Sequence, residues 1–324
     1  MNLKENVKRC GRIAKAALGF IYDFHRYVSF SGWSKDLTDK AVRNYHSVKI
    51  YHSLEKSMSF SDRKSSSGWT NAYLLLETCL AAKKAGNLGF HDRAAVAVLT
   101  QFVNLPENAE RFEAGPIREA IASLYPAIDE ATGTVKIDRL SFQKGQLADP
   151  EGFFNSRYSL REFAETEVSL ETLERATSLA MKSPSACNRQ PWAVYYTSDP
   201  MIRDLALKYQ SGNRGFGHKI PMLLVVAADL RAFMPGQERY QHWIDGGLFS
   251  MTLILALHSL GLATCCLNWS QTSGQDKAFR SAFKVSNEET IIMMLAVGWP
   301  RADNTVCVSA RRPMTEILKP LKKA

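Results

Sequence analysis

Twenty consecutive residues, Leu248 to Leu267, read LFSMTLILALHSLGLATCCL and carry no formal charge. A run of that length and polarity either crosses a bilayer or fills the centre of a folded core, so it limits the possible folds more than any other stretch. Ser250, Thr252, His258, Ser259, Gly261 and Thr264 interrupt it. Hydroxyls and a lone imidazole find partners inside a protein and not in lipid. The run is expected to be a buried helix, opened by Asp245 as N-cap, with Gly246 and Gly247 admitting a close neighbouring backbone.

The chain has 324 residues, 45% of them hydrophobic and 23% charged, which suits a soluble protein of two modest domains. Its charge of +9, from 41 Lys and Arg against 32 Asp and Glu, favours anionic partners. Nucleic acid is not expected among them, because no basic run is interleaved with aromatics and no zinc-finger or helix-turn-helix pattern occurs. The cysteines at 10, 79, 187, 265, 266 and 307 are scattered, and the adjacent pair is poorly placed to bridge to itself. Reduced thiols and a cytoplasmic location are the expectation. The start of the chain lacks an uninterrupted apolar signal and instead reads as a basic amphipathic helix, with Leu3, Val7, Cys10, Ala14, Ala17 and Ile21 on one face. Packing by that face is the main expectation and contact with a membrane surface the lesser one.

Organisation changes near residue 150. Helical spacing dominates up to residue 130, in DKAVRNYHSVKIYHSLEKSM, NAYLLLETCLAAKKAGN and HDRAAVAVLTQFVNL, with Gly86 and Pro106 as stop signals. In the first of these, His52 and Glu55 fall on one helical surface. The turn-rich DEATGTVKIDRLSFQKGQLADPEG follows. This divides the chain into a helical N-terminal region, 1–150, and a second domain, 151–324. In the second domain helices near 169–182, 199–210 and 274–285 alternate with strands WAVYYTSD, PMLLVVAADL and TIIMMLAVGWP, an order that indicates an α+β sandwich. Asp199 and Pro200 mark a capped helix start. No GxGxxG opens a helix after a strand, so a standard dinucleotide fold is not indicated.

Four pieces form an ordered series: SRYSLREF at 156–163, SPSACNRQPW at 183–192, DGGLFSMTLILALHSLGLATCCL at 245–267, and LAVGWP at 295–300 followed by ARRP at 310–313. Over residues 153–320 this series resembles the nitroreductase family of FMN-dependent oxidoreductases. The resemblance implies an FMN-binding sandwich, a central mostly antiparallel sheet flanked by helices, here preceded by an additional helical region. It also implies a homodimer with FMN at the subunit interface and NADPH or NADH as the electron donor. The expected activity is reduction of a small organic acceptor, a nitroaromatic, a quinone or a relative, in a two-step flavin cycle.

The residue types suit that chemistry. A phosphate favours arginine forks and hydroxyls, and the reduced flavin ring gains charge that a fixed cation stabilises. By resemblance Arg157, Tyr158 and Ser159 take the phosphate and ribityl chain, and Arg161 lies beside the pyrimidine edge as electrostatic support. Alternation along an extended chain puts Arg157, Ser159 and Arg161 on one side. Pro184, Ser185, Ala186, Asn188 and Gln190 belong to a loop that the partner subunit supplies to the flavin. Leu267 and Asn268 fall where the backbone nears flavin N5, with core packing the equal alternative. Arg311 or Arg312 matches a second phosphate cation. Gly212–Lys219 reads either as a wall near the flavin or as a plain loop. No nucleophile triad, paired-carboxylate site or histidine metal pattern is present in the sequence, so the flavin carries the chemistry and no metal site is expected. The non-catalytic alternative is a flavin-binding regulatory or scaffold protein acting through its helical N-terminal region.

Overall fold

The structure, a computed structural model, describes residues 3–323. Its first helices are α1 (Leu3–Phe30), α2 (Lys40–Ser59), α3 (Trp69–Ala85) and α4 (Phe90–Val103). Asp39 caps α2 by accepting the Val42 N–H at 2.9 Å. Helix α3 stops at Gly86, whose φ of 70° is left-handed and whose N–H bonds the Ala82 carbonyl. Pro106 does more than end α4, because it opens the one-turn α5 (Pro106–Ala109), followed by α6 (Ala114–Ala122). Helices α2, α3, α4 and α6 enclose a core that includes Val48, Leu54, Leu75, Leu99, Phe102 and Ile117. At its edge Arg43 and Asp92, both fully buried, pair at 2.9 and 3.0 Å. Arg43 also donates to the carbonyls of Leu37 and Asn87, so its remaining N–H groups are satisfied.

The turn-rich passage holds α7 (Arg139–Gln143), and α8 (Pro150–Asn155) begins at Pro150 behind the Asp149 cap. The rest follows as α9 (Leu170–Ala180), β1 (Trp192–Thr197), α10 (Pro200–Leu207), β2 (Met222–Asp229), α11 (Gln241–Ser259), β3 (Ala263–Asn268), α12 (Ser273–Phe283), β4 (Glu289–Gly298) and α13 (Met314–Ile317). The strands form one antiparallel sheet in the order β1-β2-β4-β3. Every residue of β2 is buried. One face of the sheet packs with α9 and α11 around Leu173, Phe249 and Leu253, and the other around Phe216, Ile220 and Phe279. This is the expected α+β sandwich.

Two expectations for the long apolar run are corrected. The helix is Gln241–Ser259, and Ala263–Asn268 is the edge strand β3, separated from it at Gly261 with φ 84°. A continuous apolar stretch reads the same in a buried helix and a buried strand, and one glycine was the only punctuation. Asp245 is not an N-cap: it lies one turn inside α11, where it accepts from the Ala186 N–H at 3.0 Å and from the Gln241 amide at 2.7 Å. Gly246 does permit a close approach, but to a side chain, since a Cβ there would stand 2.5 Å from Ile292 Cγ1. Among the described residues no helix is long and apolar enough to cross a membrane.

Candidate functional site

β3 is an edge strand, and the segment that begins with Arg157 closes onto its open side. The Leu160 N–H donates to the Thr264 carbonyl at 3.0 Å, and Ser159 bridges Thr264 in parallel. Leu160 and Phe163 anchor the segment in the core. Arg157 and Ser159 are half-buried, whereas the chain bends at Arg161 and Glu162, which are exposed. The alternation is therefore kept through Ser159 and broken at Arg161 by the bend. Backbone direction alternates along a strand, so Cys266, two residues past Thr264, also turns its N–H and C=O to the open edge.

A cavity of about 210 Å³ lies here, lined by Arg157, Tyr158, Leu160, His258, Thr264 and Val306 among others. His258 is held by the Ser156 hydroxyl and the Phe153 carbonyl, each at 3.0 Å. Arg161 Nη1 lies 3.7 Å from Cys307 Sγ. Burial pushes the Cys266 and Cys265 thiols up, and the charges of Arg157 and Arg161 respectively oppose that shift. Two guanidinium groups thus act on the thiols of the open strand. Glu162, which directly follows Arg161, is turned to Lys219 and Arg301 instead.

The loop between α9 and β1 has a backbone that few sequences adopt. Cys187, Asn188 and Gln190 have φ of 52°, 54° and 50°, the left-handed region, which costs roughly 1–2 kcal/mol for each non-glycine residue. Buried polar contacts hold it. Arg189, 1% exposed, pairs with both carboxylate oxygens of Glu238 at 2.7 and 2.9 Å and donates to the carbonyls of Ala186 and Ala232. Asp245 binds the Ala186 N–H, its backbone carbonyl accepts from Trp192 Nε1 at 3.0 Å, and Ser185 Oγ accepts the Gln190 N–H at 3.0 Å. Burial pushes the Asp245 carboxyl up, and the bonds from Gln241 and Ala186 counter part of that. Helix α2 rests on residues 186–188 and on the turn Leu230–Ala232. Nothing local in the sequence marks Arg189, because its partner Glu238 is 49 residues away.

The expected site residues do not all come together. Arg157, Tyr158, Ser159 and Arg161 gather at the open edge of β3, while Pro184, Ser185, Ala186, Asn188 and Gln190 share the clamped loop. Among the described residues no hydrogen bond joins these two groups within one chain. Leu267 points into the core at 2% exposure, and exposed Asn268 bonds Ser270 Oγ at 2.8 Å while its carbonyl accepts from Gln210. Arg311 and Arg312 lie in an exposed terminal stretch. Arg311 returns to the Ser309 carbonyl and Arg312 approaches Glu316 at 3.9 Å, so neither lines the cavity beside Arg157. Gly212–Lys219 is a packed turn, with Phe216 buried and the Asn213 amide bonded to the Leu207 carbonyl at 2.9 Å.

An antiparallel sheet with helices on both faces, and an arginine-bearing segment bonded to its edge strand, defines an α+β domain. The sequence profile of the nitroreductase family matches residues 155–213 and 202–299, and residues 155–299 form a nitroreductase-family domain. An Archaeoglobus fulgidus protein, provisionally named NADH dehydrogenase/NAD(P)H nitroreductase, is 27% identical over 150 residues, which are 45% of this chain and 82% of that protein. The iodotyrosine deiodinase of Nematostella vectensis is 22% identical over 222 residues, 60% of this chain and 81% of the deiodinase. A solved FMN-dependent nitroreductase from Clostridium difficile is 22% identical, with 48% of this chain and 90% of that one covered, at a TM-score of 0.41.

Proposed function

We propose that this chain is an FMN-dependent oxidoreductase that draws electrons from NADPH or NADH and passes them to a small organic acceptor such as a nitroaromatic or quinone. The observation that carries this reading is the Arg157–Ser159 segment bonded to the open edge of β3, with Arg161 at the bend. The residues present fit the cofactor. Arg157 and Ser159, with Tyr158, offer a cation and hydroxyls for the phosphate and ribityl chain. The open-edge backbone of Cys266 offers a donor and an acceptor for the ring edge, and one of Arg311 and Arg312 would supply a second cation.

When bound, the flavin supplies two-electron hydride chemistry, oxidising the nicotinamide and reducing the acceptor. This chain's own residues orient and polarise. Arg161 would supply a positive charge beside the ring's pyrimidine edge and so favour the reduced flavin. The loop Pro184–Gln190, locked in its left-handed form by Arg189 and Asp245, serves the flavin of a second copy, which makes the working unit a homodimer in the cytoplasm. We also read residues 1–150 as a separate helical region and 151–324 as the flavin domain.

The second reading, a flavin-binding scaffold without turnover, is favoured by one observation: the helical region has a core of its own and braces the 186–188 loop through α2. Purified protein given FMN and then NADPH or NADH separates the two. Reduction at catalytic speed supports the enzyme, and a bound flavin that stays oxidised with both donors supports the scaffold.

A further inference from the structure

Helix α1 is fastened to its own chain by the wrong face for an ordinary amphipathic helix. Its polar side does the fastening: the Tyr22 hydroxyl donates to Asp276 at 2.7 Å, Arg26 donates to the carbonyls of Asn287 and Glu289, and the Tyr27 hydroxyl donates to the Met234 carbonyl at 2.9 Å. With those residues turned inward, the apolar stripe faces out. Val7 is 65% exposed, Ile13 59%, Phe20 74% and Phe24 67%. The part of α1 before Tyr22 is exposed almost throughout and extends about 27 Å at 1.5 Å per residue.

The stripe is continuous with a second uncovered surface. Phe20 and Phe24 share a groove of about 220 Å³ with Tyr240, which precedes α11, and Trp243 within it, and Ile244, Leu248 and Met251 continue that exposed row along α11. A folded chain rarely leaves so large a contiguous apolar surface without a partner. The surface also carries complementary charge. Lys8, Arg9, Arg12 and Lys15 lie on α1, whereas Glu165, Glu167, Glu171 and Glu174 form an exposed acidic band on and before α9, which packs directly beside α11. A basic arm with an apolar stripe and an acidic border beside an apolar row match each other between two copies, as an isologous interface requires.

We propose that α1 is an intersubunit arm, its apolar stripe covered by the α9–α11 face of a second copy and its basic residues set against that copy's acidic band. The inference rests on the homodimer reading above and gives the N-terminal extension a partner. A bilayer is the competing occupant.

Sedimentation equilibrium of the full-length protein, with and without phosphatidylglycerol vesicles, tests it. The wild type should be a dimer, and F20E/F24E, at positions exposed in one chain, should raise the dissociation constant at least about tenfold, a loss of ~1.4 kcal/mol. E171K/E174K should weaken the dimer similarly, and adding R12E/K15E should restore it. If I244E/L248E dissociates the dimer while F20E/F24E leaves its constant unchanged, the arm is refuted and the homodimer stands. A monomeric wild type overturns both. Vesicle binding that F20E/F24E abolishes, with dimerisation unaltered, overturns the arm in favour of the membrane.

Discussion

Tyr45 on α2 donates its hydroxyl hydrogen to Asp229 at the end of β2, a 3.0 Å bond across 184 residues of chain. Asp229 in turn donates its N–H to the Pro191 carbonyl at 2.8 Å and receives Arg231 through both carboxylate oxygens. Pro191 directly follows the clamped loop, so this bond ties the helical region to the loop assigned to the flavin. Burial, with the neighbouring Asp229 charge adding to it, pushes the Tyr45 phenol well above its usual range, which keeps it a donor.

Removing the hydroxyl with Tyr45→Phe should cost about 1–2 kcal/mol of stability, because the buried Asp229 carboxylate loses one donor and keeps Arg231. Urea denaturation measures the loss. Flavin fluorescence should show FMN binding weakened several-fold, and unaltered binding would detach α2 from the site.

Arg189 is the stronger test of the loop. Arg189→Leu leaves Glu238 facing a buried gap and frees three left-handed residues, and should cost about 3–5 kcal/mol. Arg189→Lys keeps the charge but not the fork and should fall between. Thermal unfolding ranks the variants, and retention of FMN on gel filtration should follow the same order.

Gly246→Ala should destabilise by about 1–3 kcal/mol, since the new methyl meets Ile292 and neither β4 nor α11 can retreat. Calorimetry reads it directly. A neutral result would mean that the Ile292 side chain can rotate away from the new methyl.

Stability should fall on mild acidification. Burial brings His91 down to about 4, and burial with the Arg26 charge brings His242 down to about 4. Each is thus depressed below the ordinary 6.5, so between those values the unfolded chain binds the proton first. The contribution is whole above pH 6.5 and erodes as pH drops toward 4, at up to ~1.4 kcal/mol per pH unit for each histidine. His91→Gln should flatten the slope of urea midpoint against pH, and an unchanged slope would exclude His91 as its source.

Much of this was legible because it is local. Gly86 ends α3 and Asp199 with Pro200 opens α10 through bonds made within a few residues. Such contacts leave a signature in spacing alone. Asp245 misled for the same reason, since an acid ahead of two glycines looks like a cap, whereas its partner Ala186 is 59 residues distant. Arg189 had no visible signal at all. The bend at Arg161 escaped notice because alternation describes an extended chain, and only the edge of β3 determines where that extension ends. The outward rotation of α1 is likewise set by Asp276 and the carbonyls of Asn287 and Glu289, none of which its amphipathic pattern reveals.

The central claim is that Arg157, Ser159 and Arg161 seat a flavin that turns over. Anaerobic absorbance spectroscopy of the full-length protein with FMN, before and after NADPH and then NADH, addresses it most directly. The account predicts a bound oxidised flavin that bleaches within the turnover time and recovers when a nitroaromatic or quinone is added, with both binding and bleaching impaired in Arg157→Leu. A protein that refuses FMN, or a bound flavin left oxidised by both donors, would contradict it.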